Sequence, residues 1–195
     1  WMLYLGFCLW LIAVAIGFGW VLAYEASPGK SGVAPPTWPD DVDIARHDRC
    51  ATLVMFVHPH CPCSRATLGE LERLIARCHD HVSVRIMFVK PDGVEPDWVD
   101  AGLWRSAVML PEVVVTVDDS GQLARRFGGE TSGHVVLYDT TGRLKYSGGI
   151  TASRGHAGDN VGRLAIEQIL LDGTSPALAG QGQPVFGCPL HVAEL

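Results

Sequence analysis

The chain has no surplus of positive charge: 15 Lys and Arg stand against 21 Asp and Glu, a formal net charge of −6. No segment gathers its basic residues into a stripe, and phosphate binding needs one, so a nucleic-acid partner is excluded. No repeat with a period of 20–50 residues is visible, which excludes a solenoid. At 195 residues there is room for one domain with its own core, and a second is not expected. The third absence is local, because residues 1–24 contain no charged side chain at all.

That uncharged run is dominated by Leu, Ile, Val, Ala, Phe and Trp, and it exceeds the roughly 20 apolar residues a bilayer crossing needs. Trp1, Tyr4, Trp10, Trp20 and Tyr24 supply interfacial rings near its ends. A cleaved signal peptide is the competing reading, with Val21-Leu22-Ala23 as its cleavage site, but such a segment has an apolar region of only about 7–15 residues. An uncleaved single-pass anchor over 1–24 is therefore expected. Residues 25–42 are rich in Pro, Gly and Ser without an apolar period, which predicts a spacer holding a soluble domain off the membrane. The domain is expected over 43–175, followed by a tail over 176–195 that carries Cys188.

Within the domain the pattern alternates. Strands are predicted over 51–57, 82–89 (Val82, Val84, Ile86 and Phe88 alternating), 112–117, 135–138 and 144–146, the last two joined by the turn Asp139-Thr140-Thr141-Gly142. Helices are predicted over 65–78, 97–109, 121–127 and 159–171. Strands separated by helices, closed by a hairpin and a helix, argue an α/β fold with a mixed sheet flanked by helices.

The densest chemistry lies in His58-Pro59-His60-Cys61-Pro62-Cys63-Ser64-Arg65, between the first strand and the first helix of the domain. A thiol at the first turn of a helix meets unpaired backbone N–H groups and the positive end of the helix dipole, which favour thiolate over thiol. Cys61 is assigned that position, with Pro62 as a tolerated first helical residue. A protonated His60 would favour the Cys61 thiolate further. A bridge between Cys61 and Cys63 would be tight and readily reduced, since bridged Cα atoms prefer separations of about 4.4–6.8 Å. Cys188, in Phe186-Gly187-Cys188-Pro189-Leu190, is the other candidate to resolve a mixed disulfide on Cys61, and the choice between Cys63 and Cys188 stays open.

Two stretches resemble the thioredoxin-like superfamily, in particular the membrane-anchored TlpA/ResA-type thiol–disulfide oxidoreductases. His60 to Ala66, continuing through Glu70-Leu71, lies without gaps on that family's Trp-Cys-x-x-Cys-Arg-Ala pattern. Phe127-Gly128, then the strand Val135 to Tyr138 and Asp139 to Gly142, resembles its aromatic-Gly, strand and Asp-x-x-Gly hairpin. The resemblance implies a thioredoxin-like fold over residues 51–171, with Cys61 as nucleophile, Ser64 in place of the resolving Cys and Gly133 in place of a cis-proline beside the thiols. It also implies protein thiol or disulfide clients, and a bacterial cytoplasmic membrane with the domain facing the periplasm.

The remaining candidates divide by position. Cys8 reads as a small hydrophobe in the anchor, while Cys50 and Cys78 read as buried residues or as a structural disulfide. His58 and His60 lie close to the thiols in sequence; His134 would face the cysteines if the resemblance holds. Arg154 and His156 belong to a Gly-rich loop over 148–160 more polar than a connector needs, with Asp159 or Asn160 as a helix cap. His79 and His81 read as solvated helix-end cations, and His47 and His191 carry no assignment.

Three activities follow. The first is thiol–disulfide exchange at Cys61 with Cys63 or Cys188, needing no cofactor. The second is copper binding or delivery through Cys61, Cys63, His60 and His134, as in the Sco-type proteins, which share the fold but space their cysteines C-x-x-x-C. The third is a thiol peroxidase, although the Pro-Thr-Cys neighbourhood of that class is absent.

Overall fold

The computed structural model describes residues 1–174 and 182–191. Part of the expected tail, 176–181 and 192–195, and the domain's expected last residue, 175, therefore lie outside the described residues.

Helix α1 (Met2–Glu25) has a mean hydropathy of 2.3 over its most apolar window and buries no side chain. At 1.5 Å per residue it is about 36 Å long, enough to span a membrane. The domain then runs β1 (Ala51–Val57), α2 (Ser64–Cys78), β2 (Val82–Lys90), α3 (Gly102–Val108), β3 (Val113–Asp119), α4 (Gln122–Arg126), β4 (His134–Tyr138), β5 (Leu144–Gly148) and α5 (Val161–Asp172).

The five strands form one sheet in the order β3-β2-β1-β4-β5. β1, β2 and β3 are mutually parallel, and the β4–β5 hairpin joins antiparallel to β1 through pairs such as Phe56 with His134. This mixed sheet flanked by helices is the thioredoxin-like arrangement, preceded by one membrane-length helix.

Central strand β1 is buried on both faces, so its run of apolar residues needs no polar alternation. Leu53, Met55 and Val57 meet Leu68, Leu71 and Leu74 of α2 and Ile166 of α5. Val54 and Phe56 point the other way, toward Phe127, Val136 and Tyr138. Among the described residues the only helix on that second face is the five-residue α4. The sheet is covered instead by the segment expected to be a spacer, through Ala34, Trp38 and Val42, with Ile44 of the adjoining domain start packed beside them. Trp38 lies edge-on to Phe127 at 5.0 Å and to Tyr138 at 5.3 Å, contacts of about 1 kcal/mol each. Tyr138 Oη donates to Pro35 O at 2.9 Å. The Pro- and Gly-rich composition marks an irregular backbone here, not an unattached one.

The helix predicted over 97–109 is broken. Pro96–Val99 form a short 3-10 turn, and Asp100 and Ala101 leave helical geometry before α3 begins at Gly102. α2 and α5 are pinned by a buried ionic network. The fully buried Glu70 carboxylate accepts Arg163 Nε at 2.8 Å, Asn160 Nδ2 at 3.0 Å and Gly158 N at 2.7 Å, and it also pairs with Arg73. Arg163 pairs in turn with Glu167. Asn160 caps α5, accepting Arg163 N at 2.7 Å, so of the two expected caps it is Asn160 that serves.

Candidate functional site

β1 ends at Val57, and the chain turns twice before α2. Cys61 N donates to His58 O at 3.0 Å, and Ser64 N donates to Cys61 O at 3.2 Å. Cys63 occupies the N-cap position and α2 begins at Ser64. The helix begins one residue before the predicted 65, but Pro62, read as a first helical residue, belongs instead to the turn, and Cys61 sits ahead of the helix, fully buried.

What covers Cys61 comes from the far end of the sequence. Residues 182–191 form a strap across the N-terminal end of α2, with Val185, Phe186 and Leu190 buried. The strap is tied to the loop before β4: Ser132 N donates to Cys188 O at 2.8 Å and Leu190 N to Glu130 O at 3.0 Å. A Cβ on Gly187 would collide with Ser132 O, so glycine permits the close approach. This docking directs Cys188 N–H at Cys61 Sγ, at 3.3 Å.

Burial by itself would push the Cys61 thiol up, but hydrogen bonds from the Ser64 hydroxyl, from the Cys188 N–H and thiol, and from the Ser64 N–H outweigh it, so the thiol titrates below its ordinary value. The hydroxyl protons can be followed one by one. Ser132 Oγ accepts His58 N–H at 2.8 Å and lies 2.7 Å from Ser64 Oγ. With Ser132 donating to Ser64, the Ser64 proton is free for the sulfur. The neighbouring thiols move oppositely. Cys188 is pushed up to about 12 by burial, by its hydrogen bond to Cys61 and by the negative charge on Cys61 and Cys63. Cys63 is raised by burial and by Cys61, against the hydrogen bond and charge of Arg154. Of the three thiols Cys61 is therefore the one that ionises most readily.

Arg154 links this cluster to the C-terminal end of α1. Its Nη1 donates to Gly187 O at 2.6 Å and its Nε to Ser27 O at 3.0 Å, while its guanidinium lies 4.8 Å from the Tyr24 ring centroid. Its backbone N donates to Glu25 O at 3.0 Å.

The histidines are placed otherwise than the sequence suggested. His58 and His60 turn toward Trp98, with ring centroids 5.3 and 4.6 Å from the indole, and His60 Nε2 bonds Trp98 O at 3.0 Å. The forces lowering Cys61 include no histidine. His58 itself is lowered, first by burial and then by His60. His134 is buried on β4, bonded through Nε2 to Ser147 Oγ at 2.9 Å, on the strand face that also carries Val136 and Tyr138. Its direction is set by strand alternation, and burial lowers it to about 4. His156 is exposed and bonds Arg154 O at 3.0 Å. Gly133, at φ +91°, donates its N–H to Phe56 O at 2.7 Å, and a Cβ there would stand 3.1 Å from Thr67 Oγ1. Cys50 and Cys78 carry separate free thiols: Cys78 lies in the α2–α5 core and Cys50 Sγ lies 3.1 Å from His47 Nδ1.

Among the described residues no group of three His, Cys, Asp or Glu side chains is arranged to hold a metal ion. The set Cys61, Cys63, His60 and His134 does not assemble, because His60 is committed to Trp98 and His134 to Ser147. Ser132 and Trp98 are site residues that sequence reading missed. Ser132 had a signal, being next to Gly133 in the second motif; Trp98 had none.

No family model matches the chain, and neither does any curated protein. Among solved structures it is similar to an uncharacterized conserved protein from Geobacillus kaustophilus, with a TM-score of 0.61 and 20% identity over 87% of this chain and 94% of that one. It is also similar to the hypothetical protein SMc02350 from Sinorhizobium meliloti 1021, with a TM-score of 0.58 and 20% identity over 86% and 96% of the two chains. The exposed lipoprotein thioredoxin of Streptococcus pneumoniae aligns with a TM-score of 0.47 and 20% identity over 64% and 86%. These are likenesses of fold.

Proposed function

We propose that this chain is a membrane-tethered thiol–disulfide oxidoreductase whose exchanging pair is Cys61 and Cys188. One contact carries the reading: the strap delivers Cys188 to Cys61, N–H to sulfur at 3.3 Å, with the two thiols sharing a hydrogen bond. A lowered thiol beside a raised one suits an exchange couple, since one partner gives up its proton readily to act as nucleophile or leaving group and the other retains its own until the pair closes. Closing the pair removes two electrons and two protons from the chain, and opening it returns them. A client disulfide or dithiol supplies the other half of that balance.

Cys63 takes a tuning role in this account, because its bond to Arg154 and its proximity to Cys61 set the charge around the couple. Ser64 and Ser132 donate along a relay to the thiolate, and Arg154 holds the strap. The anchor α1 and the resemblance to TlpA/ResA-type proteins support a bacterial cytoplasmic membrane with the domain on the periplasmic side.

The test is a redox titration of the detergent-solubilised full chain in glutathione buffers, read by differential alkylation and peptide mass. A reversible two-electron transition with a linked Cys61–Cys188 peptide is expected, retained in Cys63→Ser and lost in Cys188→Ser. A chain showing no reversible couple at Cys61 would sink the reading. A membrane-impermeant maleimide labelling Cys188 in cells with a permeabilised outer membrane tests the side of the bilayer.

A further inference from the structure

Resting on that reading, we infer that clients meet this chain at Cys188 and not at Cys61, and that they are dithiols: a client thiolate attacks Cys188 Sγ of the closed pair and expels the Cys61 sulfur. This inverts the roles implied by the motif, in which the first cysteine bears the client.

Access decides the point of attack. Cys61 has 0% of its surface exposed, whereas Cys188 is partly exposed. The cover over Cys61 is firmly held. Besides the bonds to Ser132 and Glu130, Gly29 N donates to Val185 O at 2.8 Å and Arg154 Nη1 to Gly187 O at 2.6 Å. Thiolate attack on a disulfide runs in line with the S–S bond, so the struck sulfur must be open on its far side. Of the two cysteines only Cys188 has solvent exposure.

The leaving side is equally asymmetric. Charge arriving on Cys61 Sγ is met by the Cys188 N–H and the Ser64 hydroxyl. A sulfur whose anion is stabilised leaves faster, and stabilising the reduced form makes the disulfide more oxidising. Both effects favour taking electrons from a client dithiol over giving them to a client disulfide.

The step balances. The client thiolate forms a bond to Cys188 Sγ as the Cys61–Cys188 bond breaks, leaving a Cys61 thiolate. The client's second thiolate then attacks the client sulfur of the mixed disulfide and releases Cys188, which takes a proton. The client dithiol is oxidised by two electrons and the chain is reduced by two.

The test uses the full chain in detergent micelles, oxidised with glutathione disulfide until the linked Cys61–Cys188 peptide is seen. It is then challenged with reduced glutathione, quenched early with acid and maleimide, and mapped by peptide mass. The mixed disulfide is expected on Cys188 with maleimide on Cys61, at least tenfold over the reverse. Because that species is short-lived, Cys61→Ser and Cys188→Ser chains, checked for folding by circular dichroism, are also reacted with glutathione disulfide. Cys188 in the first is expected to be glutathionylated at least tenfold faster than Cys61 in the second. A linked peptide with the adduct on Cys61, or a faster Cys61, overturns this inference and leaves the couple standing. Absence of the linked peptide overturns both.

Discussion

The two ends of α2 carry cysteines of equal burial and opposite character. Cys61, just ahead of the helix, and Cys78, its last residue, both have 0% exposure. Cys61 is lowered, because hydrogen bonds from Ser64 and Cys188 overcome its desolvation. Cys78 is raised, by burial first and by the Glu167 charge second, with only Arg77 opposing. The helix dipole adds in the same sense at each end. Burial therefore does not decide whether a thiol is lowered or raised here; the donors aimed at its sulfur do, and half of them come from the strap.

The hardest break of this contrast is to remove each sulfur. Cys61→Ala should abolish the reversible two-electron couple completely, whereas Cys78→Ala should leave it intact and cost about 1 kcal/mol through a small cavity, both read by alkylation mapping and denaturant unfolding.

The next largest effect lies between the two ends. Glu70→Ala strips the buried Arg163 of one of its two buried carboxylate partners, and a loss of about 3 kcal/mol in chemical denaturation is expected. If α2 is held by hydrocarbon packing alone, the loss will be far smaller.

Another buried titratable group extends the contrast to acid. Among the described residues His134 Nδ1 has no hydrogen-bond partner, and its folded value is about 4 against about 6.5 in the unfolded chain. The folded chain thus binds fewer protons. Stability is fully present above pH 6.5 and is lost as the pH falls from 6.5 to about 4, by about 3 kcal/mol. His134→Asn should flatten that slope in unfolding measured across the range.

The smallest effect is the sharpest. Ser64→Ala removes one donor from Cys61 and none from Cys78, so the pH midpoint for alkylating Cys61 should rise. Its rate at neutral pH should fall about fivefold, as loss of a hydrogen bond of about 1 kcal/mol implies. An unchanged midpoint would mean that the strap alone sets the thiolate.

Much of this architecture was legible because it depends on local pattern. The uncharged stretch 1–24 needs only composition to read as a membrane-length helix, and β1 was located to the residue by its apolar run between polar flanks. The break at residues 100–101 was harder to read, because Asp100 and Ala101 carry no turn signature of their own and their geometry follows from how Trp98 and Leu103 pack. Within the site, Cys61, Cys63, Cys188 and Arg154 are brought together, whereas His134 and His156 are not. Strand parity turned His134 toward Ser147, and one residue of register would have reversed it.

The sequence by itself determined the membrane-length apolar helix, the alternation of strands and helices, and a thiol turn ahead of α2, since each is written in the composition and periodicity of neighbouring residues. Only the tertiary structure decided which thiol Cys61 meets. Cys188 lies 127 positions away and reaches it because Gly187 lets the strap close on Ser132. It likewise decided that residues 34–44 cover the second sheet face and that His58 and His60 serve Trp98. Such contacts join segments distant in the chain, and they are selected by buried area and paired backbone groups that exist only once the sheet has formed.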